Sequence, residues 1–338
     1  MWRVLLDLLT EARRPLVFLD FETAGLGGKP PVEFAVLVWA PWRSAEDDET
    51  TRRCRDLVPP GLTYACVQRV DPVMPIDPGA TDVHRIRDAD VRGVVGVPMW
   101  NDLEVVGFFQ SLAQGDAAES EGPAVWVGHN AQEADLAWGR RWGYFPQTEP
   151  DAIDTMRLGR RLAKEHPHPL AVDLVTPLWD AGRNDYATSV PAIGYGLDAF
   201  SGSLVGMHVG LTGARHEAHG ALADCVATAR VLCRLLEMWD TVWPPTRKDV
   251  PASANLAALI AGLDAPPPGQ VGWDGWLAPD ESKVQGTGFV WRRGKHKGRP
   301  ADCDHGYRQW VLDRPRLPTH DGEMWCSQHT ADILGAGR

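Results

Sequence analysis

The stretch LVFLDFET, residues 16–23, decides the fold class because it joins a short apolar run to two closely spaced carboxylates. The apolar run is typical of a buried strand. Asp20 and Glu22 are two positions apart, so on a strand both carboxylates point to the same face. Two like charges side by side repel each other, and a divalent cation between them would explain the arrangement. For the pair taken alone, two solvated carboxylates at the end of a strand are the simpler explanation.

Outward from this stretch, strand-like and helix-like patterns alternate. Asn130 and Asp154 are residue types that cap helix N-termini. The charged segment 43–56 is expected to be an exposed excursion, and residues 164–215, which lack periodicity, an elaborated connection. The alternation predicts an α/β domain built in layers. Besides the strand at 16–21, strands are predicted at residues 32–39, 62–70 and 124–128. Helices are predicted at residues 103–114, 131–142, 154–163 and 221–239.

The composition is that of an ordinary globular protein, with 44% hydrophobic and 23% charged residues among 338. At roughly 100–200 residues per domain, this length suggests about two domains. No apolar run approaches the ~18 residues of a membrane span. Asp7 and Glu11 interrupt the N-terminal run, which is predicted to be a helix rather than a signal peptide. We therefore expect a cytoplasmic protein without a membrane partner.

Charge and cysteine content narrow the functional classes. The formal net charge of −11 argues weakly against a protein that coats nucleic acid. It does not argue against a nuclease, because clustered carboxylates can hold cations and a bound metal inverts the local field. The six cysteines include no CxxC pair and are expected to be reduced thiols.

Proline and glycine mark the division of the chain. WPPTRKDVP near residue 245 and DAPPPGQ near residue 267 have the composition of connecting segments. The sequence therefore predicts three regions, a main domain, a linker and a small basic and aromatic module, at residues 1–242, 243–270 and 271–338.

Two further segments carry residues suited to metal chemistry. In VWVGHNAQEADLAWGRRWG, a buried strand ends at Gly128 and Asp135 lies one turn into the predicted helix. In HEAHGALADCVATARVL, His219 precedes Asp224 by five residues and is expected on the loop before the helix. Thr228 shares a helix face with Asp224. Taken singly, the first segment is explained by an exposed helical carboxylate and the second by a helix start with incidental histidines.

The order, spacing and placement of these segments resemble the DEDDh exonucleases, the family of DnaQ-like proofreading subunits and RNase T. FLDFETAGL resembles the first motif of the family, GHNAQEADLAW the second, and HGALAD with ATARVL the third. IDPGATDVHRI and AIDTMRLGRRL resemble the segments that lie between the motifs. The resemblance covers residues 15–236, and several ordered matches are far more specific than one short motif.

The resemblance implies an α/β, ribonuclease H-like fold with a mixed five-stranded sheet flanked by helices. It implies that Asp20, Glu22, Asp135 and Asp224 bind two divalent cations, Mg²⁺ or Mn²⁺, and that His219 is the general base. Hard cations prefer carboxylate oxygens, and a pair of them can clamp the attacking and leaving oxygens of a phosphodiester. The expected activity is 3′→5′ exonuclease release of 5′-mononucleotides from single-stranded DNA or RNA ends.

The second motif departs from the family pattern by one extra residue between the asparagine and the aspartate. The usual spacing from Asn130 arrives at Ala134, which cannot bind a metal. Counting back from the helix favours Asp135 instead. Glu133 has a structural explanation, because three residues after Asn130 it can close a capping box. The sequence therefore predicts Asp135 as the fourth metal ligand and Glu133 as a helix-capping residue.

Three other residues are predicted to bind substrate. The resemblance places Thr23 where its counterpart often contacts the terminal nucleotide, and it places His84 and Asn130 in the pocket lining. A structural role is an equally good interpretation of each, and Asn130 in particular is a natural N-cap.

The segment FVWRRGKHKGRPADCDHGYRQWVL, residues 289–312, resembles a small module found after some exonuclease domains. Basic residues suit phosphate contacts and aromatic rings suit base stacking. A solvated turn beside a small core is the alternative. The predicted phosphate contacts are Arg292, Arg293, Lys295, Lys297 and Arg299, and the predicted stacking residues are Trp291, Tyr307 and Trp310. Poor spacing argues against zinc at Cys303, His305, Cys326 and His329.

Two other functions remain open at this point. A non-catalytic nucleic-acid-binding protein on the same fold is disfavoured, because all five expected catalytic positions can be filled. A proofreading partner of a replication or repair polymerase is compatible with the resemblance, although no polymerase-binding segment is recognisable.

Overall fold

The computed structural model describes residues 1–115, 120–131, 134–145, 151–165, 179–180, 185–186, 220–239, 250–265, 276–279, 289–292, 294–313 and 328–335. These residues form two compact units, Met1–Asp264 and Ala265–Arg338. No described helix is both long enough and apolar enough to cross a membrane.

The first unit alternates strands and helices along the chain. Its described helices are α1 (Trp2–Glu11), α2 (Glu49–Arg55), α3 (Pro78–His84), α4 (Asp88–Val91), α5 (Leu103–Gln114), α6 (Asp135–Arg141), α7 (Thr155–Glu165), α8 (Ala221–Trp239) and α9 (Ala252–Asp264). Its described strands are β1 (Leu16–Thr23), β2 (Pro31–Trp39), β3 (Tyr64–Arg69), β4 (Val125–Gly128), β5 (Ala152–Asp154), β6 (Trp179–Asp180) and β7 (Asp185–Tyr186).

Five of the strands form one sheet in the order β3-β2-β1-β4-β5. The strands β1, β2 and β3 are antiparallel neighbours, whereas β4 is parallel to both β1 and β5. β6 and β7 form a separate two-stranded ladder. This arrangement confirms the predicted fold class, a ribonuclease H-like α/β fold with a mixed five-stranded sheet flanked by helices.

The central strand β1 is buried on both faces, as its unbroken apolar run predicts. Leu16 and Phe18 pack in a core that includes residues of α1, α7, α8 and α9. Val17 and Leu19 pack in a second core, on the opposite face, with residues of α5 and α6. Asp20 follows the first pair in the strand alternation, so its side chain belongs to the α8 face of the sheet.

Several helices begin or end where the sequence predicts. α5 and α8 have the predicted bounds to the residue. α7 begins at Thr155, and Asp154 caps it, because its Oδ1 accepts hydrogen bonds from the backbone N–H groups of Met156 (3.0 Å) and Arg157 (3.1 Å). Glu11 ends the predicted N-terminal helix.

The prediction that Asn130 caps the next helix is wrong. α6 begins at Asp135 rather than Ala131, its N-cap is Ala134, and no side chain in the described part of the chain caps it. Asn130 has a φ of +64°, which takes it out of helical geometry. The chain therefore makes a left-handed step at Asn130, after β4, before α6 starts.

Two boundaries also differ from the sequence analysis. Residues 43–56 are not wholly exposed, because α2 lies there with Thr51 and Cys54 buried. Asp48 caps this helix, but its seven residues are too few for a helical hydrophobic period to stand out. The segment 243–270, predicted as a linker, contains α9, which packs in the first unit, and the structure ends that unit at Asp264. Of residues 164–215, most lie outside the described residues.

The second unit is small and rich in aromatic side chains. Its described elements are β8 (Leu277–Pro279), β9 (Phe289–Trp291), α10 (His305–Leu312) and α11 (Gln328–Gly335). β8 and β9 pair antiparallel. Trp276, Trp291 and Tyr307 are the largest side chains of its core, and their rings meet edge to face.

Candidate metal centre and active site

Three carboxylates converge where α8 crosses β1. Asp20, Glu22 and Asp224 each offer one carboxylate oxygen, and these atoms lie within 4.8 Å of one another. Asp20 is partly exposed, whereas Asp224 is buried. Such a set of oxygen ligands on one side of a sheet fits a hard divalent cation, which offsets the mutual repulsion of the charges.

Helix α8 carries Asp224 to the strand because its apolar stripe packs on the sheet. Ala221, Cys225 and Ala229 recur at helical spacing and are fully buried in the first core. Asp224 and Thr228 are adjacent to this stripe and also buried, although both are polar. Asp224 lies in the first turn of α8, where a negative charge interacts favourably with the helix dipole.

Asp135 approaches the same strand from α6. It is buried, and its Oδ1 accepts a 3.2 Å hydrogen bond from the backbone N–H of Phe21, the residue after Asp20. The pKa of the Asp135 carboxyl is raised to about 7, first by burial and then by the charges of Asp154 and Asp224, against the lowering effect of the Phe21 hydrogen bond. The three-carboxylate cluster found among the described residues does not include Asp135.

The turn after β4 is held by a carboxylate that the sequence predicts only as a cap. Asp154 is fully buried as a side chain, and its Oδ1 accepts a 3.1 Å hydrogen bond from the backbone N–H of Asn130 as well as those from α7. A Cβ on Gly128 would lie 2.6 Å from Cβ of Ala131, so only glycine fits this close turn. Asp154 therefore fixes the turn and the start of α7 together.

His129 and Asn130 lie at this turn. Thr155 donates its hydroxyl proton to the carbonyl of Gly128 (3.2 Å), so its oxygen accepts from Nδ1–H of His129 (2.9 Å). The Oδ1 atom of Asn130 is buried and has no hydrogen-bond partner among the described residues. A buried acceptor without a partner is costly, and this is a physical reason for a bound group to meet Asn130.

His84 lies behind the end of β1. Its Nδ1 accepts a hydrogen bond from the backbone N–H of Ile86 (3.0 Å), so the neutral ring carries its proton on Nε2. Nε2 then donates to the carbonyl of Thr23 at 3.1 Å. Thr23 itself donates its hydroxyl proton to the carbonyl of Gly25. The structure thus places His84 where it fixes the backbone beside the carboxylates.

Glu33 is an acidic residue near the carboxylate cluster that no sequence pattern singles out. It lies on β2 directly across from Glu22, and its Oε1 accepts a 3.1 Å hydrogen bond from the backbone N–H of Ala221. A lone glutamate in VEFAVLVW has no local signal that separates it from an ordinary polar strand residue. Its partner is far away in the sequence.

Three predicted residues lie outside the part of the chain that the structure describes. They are His219, the predicted general base, Glu133 and Arg293. The predictions for His219 and Arg293 therefore stay predictions. The predicted capping box of Glu133 is wrong, because Glu133 precedes Ala134, the N-cap of α6.

In the second unit, the structure separates the aromatic residues that were predicted to stack on bases. Trp291 is fully buried and Tyr307 is 7% exposed, so neither ring is available and that prediction is wrong for both. Trp310 is 40% exposed and stacks on Tyr307 at an interplanar angle of 14°. The interleaved aromatic residues mainly build the small core.

The predicted phosphate contacts lie on the surface of this unit. Arg292, Lys295, Lys297 and Arg299 are all exposed. Nζ of Lys295 lies 5.0 Å from the centroid of the Tyr307 ring and 3.6 Å from Oδ2 of Asp304. Among the described residues, neither Cys303 nor His305 belongs to a group that could hold a metal; Cys326 and the side chain of His329 lie outside that part of the chain.

Comparisons with known proteins found similar solved structures. No protein-family model matches the chain, and no curated protein matches it. One similar structure is exonuclease X in complex with 5′ overhanging duplex DNA, with 23% identity, a TM-score of 0.37, and coverage of 71% of this chain and 99% of that one. Another is E. coli exonuclease I in complex with a dT13 oligonucleotide, with 15% identity, a TM-score of 0.45, and coverage of 72% and 46%. The functional assignment of this chain is therefore argued from its own residues.

Proposed function

We propose that the protein is a metal-dependent 3′→5′ exonuclease that releases 5′-mononucleotides from the ends of single-stranded DNA or RNA. The observation that carries this proposal is the convergence of Asp20, Glu22 and Asp224 within 4.8 Å, on the sheet face and in the chain order that the resemblance predicts. Asp135, which is buried and hydrogen-bonded to β1, adds a fourth carboxylate.

The four carboxylates would hold two divalent cations, Mg²⁺ or Mn²⁺. When bound, such cations lower the pKa of an attacking water and neutralise charge on the leaving oxygen. Asp20 and Glu22 on β1 would bind from one side and Asp224 on α8 from the other. The hydrogen bond from Phe21 orients the Asp135 carboxylate toward the same strand.

His219 is proposed as the general base. It lies two residues before Ala221, the first residue of α8. A histidine with an unperturbed pKa near ~6.5 can accept a proton from water at neutral pH.

The terminal nucleotide is proposed to bind beside the end of β1 and the β4 turn. Thr23 follows Glu22 directly, and the buried Oδ1 of Asn130 requires a donor. A nucleotide sugar or base supplies such donors. His84 would act with them by fixing the carbonyl of Thr23.

The second unit is proposed to contact the nucleic-acid strand. Its exposed basic residues suit phosphates, and the partly exposed ring of Trp310 suits a base. Arg292, Arg293, Lys295, Lys297 and Arg299 are the proposed phosphate contacts. A polymerase partner is compatible with this role, but no described feature favours it.

A non-catalytic nucleic-acid-binding protein is the alternative. The two functions separate in one assay, release of mononucleotides from 5′- and 3′-labelled DNA and RNA with and without Mg²⁺ or Mn²⁺. We expect stepwise shortening from the 3′ end, loss of activity with a chelator, and recovery with added cation. Binding without release under every condition would establish the alternative.

The matched control is a variant that removes an exposed carboxylate elsewhere. Asp7 lies on the exposed face of α1. Asp7→Asn should release nucleotides at the wild-type rate, so loss of activity in that variant would show that general charge, rather than the site, controls the reaction.

A further inference from the structure

The N-terminus of α8 is capped by a residue from the sheet. The first N–H groups of a helix have no partner within it, and the first residue of α8 is Ala221. Its N–H donates to Oε1 of Glu33 on β2, at 3.1 Å. A carboxylate at this end also interacts favourably with the helix dipole. The hydrogen bond therefore fixes the start of α8 to one position along β2.

Glu33 is in an electrostatically unfavourable place. In the β1–β2 ladder it lies directly across from Glu22, so the two side chains are on the same face of the sheet. Like charges directly opposite each other destabilise a sheet. Arg69, the ladder partner of Glu33 on β3, offsets part of this, with Nε 3.6 Å from Oε2 of Glu33. The hydrogen bond from the Ala221 N–H is a further favourable contact of the Glu33 carboxylate at this place.

A second hydrogen bond holds α8 one turn later in the helix and one step further along β2. The thiol of Cys225 donates to the carbonyl of Ala35 at 3.4 Å. Ala35 is the ladder partner of Asp20, as Glu33 is of Glu22. Each tie between α8 and β2 is thus level with one carboxylate of the cluster, and Asp224 lies between the two tied residues of α8.

We propose that Glu33 is a positioning residue that holds the first turn of α8 on β2, so that the Asp224 carboxylate stays within metal-binding distance of Asp20 and Glu22. Glu33 is not part of the ligand cluster found among the described residues. Glu33 would affect a bound cation only indirectly, because its side chain is long enough to accept the hydrogen bond from the Ala221 N–H. This inference rests on the proposed metal site.

Three substitutions separate reach from charge. Glu33→Gln keeps an acceptor at the same distance and loses the charge, whereas Glu33→Asp keeps the charge and shortens the reach by one methylene. Glu33→Ala loses both. The matched control is Asp102→Ala, because Asp102 caps α5 on the opposite face of the sheet by accepting from the N–H of Glu104 at 2.8 Å.

The measurement is Mn²⁺ binding by isothermal titration calorimetry without nucleic acid, on variants whose folding is checked by circular dichroism. Glu33→Asp and Glu33→Ala should each weaken Mn²⁺ affinity by about tenfold, as the loss of residues supporting a metal site commonly does. Glu33→Gln should stay within about threefold of the wild type. Asp102→Ala should lower the melting temperature and leave affinity unchanged.

The opposite outcomes overturn the proposal. Wild-type affinity in Glu33→Asp, or an equal loss in Asp102→Ala, would show that reach to α8 does not control the metal site. If Glu33→Ala does not fold, the contrast between Glu33→Asp and Glu33→Gln decides the question. A wild-type protein that binds no Mn²⁺ overturns the positioning role with the metal site. One that binds Mn²⁺ but releases no nucleotides overturns the proposed function alone.

Discussion

Helices α7 and α8 differ in where their first N–H groups find an acceptor. α7 is capped by the residue before it, because Asp154 accepts from Met156 and Arg157. α8 is capped by Glu33, 188 positions before Ala221. The first cap follows from the known preference for aspartate at helix N-termini, so it can be predicted from the sequence. The second forms only when α8 packs against β2 in the folded protein.

The difference shows which contacts position the helices of this site: local ones for α7 and long-range ones for α8. Asp154 makes a local cap and then holds the turn at Asn130. Glu33 makes a distant cap beside the carboxylate cluster itself. The experiments below test whether the helix with the distant cap is the one on which chemistry depends.

The largest effect should come from the carboxylates that α8 faces. Asp20→Asn and Glu22→Gln should each abolish measurable nucleotide release and leave the fold intact, because each removes a proposed metal ligand from the shared face of β1. The measurement is release from a 3′-labelled single strand, with circular dichroism as the check on folding. Near-normal activity in either purified variant would show that the substituted carboxylate is not a required metal ligand and would contradict the proposed metal site.

The next effect concerns the α6 side of the site. Asp135→Asn should eliminate activity, and Glu133→Gln should leave it close to that of the wild type. The structure strengthens this expectation for Asp135, whose carboxylate is buried against β1. An inactive Glu133→Gln beside an active Asp135→Asn would show that the second motif is aligned one turn wrongly.

The same variant has a pH signature in the metal-free protein. The folded pKa of Asp135, about 7, lies above the value of about 3.9 for an unperturbed carboxyl. Between these values the folded state binds the extra proton, so this group makes the free energy of unfolding fall as pH rises through that window. Urea denaturation should show a flatter pH dependence over this range in Asp135→Asn than in the wild type.

A smaller but still large loss is expected from the base. His219→Ala should reduce the rate of release at least ~10²-fold, as is typical of losing general-base catalysis. His216→Ala, three residues earlier, should leave the rate nearly unchanged, because only His219 has the five-residue spacing to Asp224. A damaging His216→Ala beside a mild His219→Ala would reverse the assignment of the third motif.

The contribution of the α7 cap, Asp154, to the free energy of unfolding can be compared with that of an exposed cap, Asp102 of α5. Asp154→Ala removes the acceptor of three backbone N–H groups, of which that of Met156 is buried and those of Arg157 and Asn130 are partly buried. A buried group left without a partner costs about 1–3 kcal/mol. Asp102→Ala removes an exposed cap, typically worth ~1 kcal/mol. Urea denaturation should show the larger loss for Asp154→Ala, and equal losses would mean that its hydrogen bond with Asn130 contributes nothing.

The smallest effect is expected in the second unit. Replacing Lys295 and Lys297 by Gln should weaken single-strand binding and flatten its salt dependence, by about 0.7 in the logarithmic slope for each phosphate that is no longer neutralised. Arg3→Gln, which removes an exposed charge from α1, is the control. Binding measured by fluorescence anisotropy over a salt series should separate them. Identical slopes in all three proteins would contradict a nucleic-acid role for this surface.

What the sequence predicts well is local. Apolar runs located β1 and β2, helical periods located α5 and α8 to the residue, and a single aspartate located the start of α7. The family resemblance then placed Asp20, Glu22 and Asp224 together, and the structure brings them within 4.8 Å.

What the sequence did not predict depends on interactions between distant segments. The asparagine after β4 has the chemistry of a cap, but the hydrogen bond from its N–H to Asp154 holds it at a φ of +64°, and α6 starts later. Trp291 and Tyr307 have the composition of a stacking surface, yet a small unit needs its large rings for a core. Glu33 has no local pattern at all.

Helix α9 has a practical consequence for handling the protein in pieces. Leu256, Leu259, Ile260 and Leu263 are buried in the first core, and burying a side chain of this size contributes about 1.5–3 kcal/mol. Together they contribute about 6–12 kcal/mol before the entropy cost of ordering the helix, which is comparable to the ~5–15 kcal/mol net stability of a whole domain. A fragment that ends near residue 242 would lack α9. It would expose the apolar surface that this helix covers, and it would tend to aggregate. A fragment that ends after Asp264 keeps α9 on the core. The C-terminal limit of a fragment that does not aggregate is therefore set by a helix that bears none of the proposed catalytic residues.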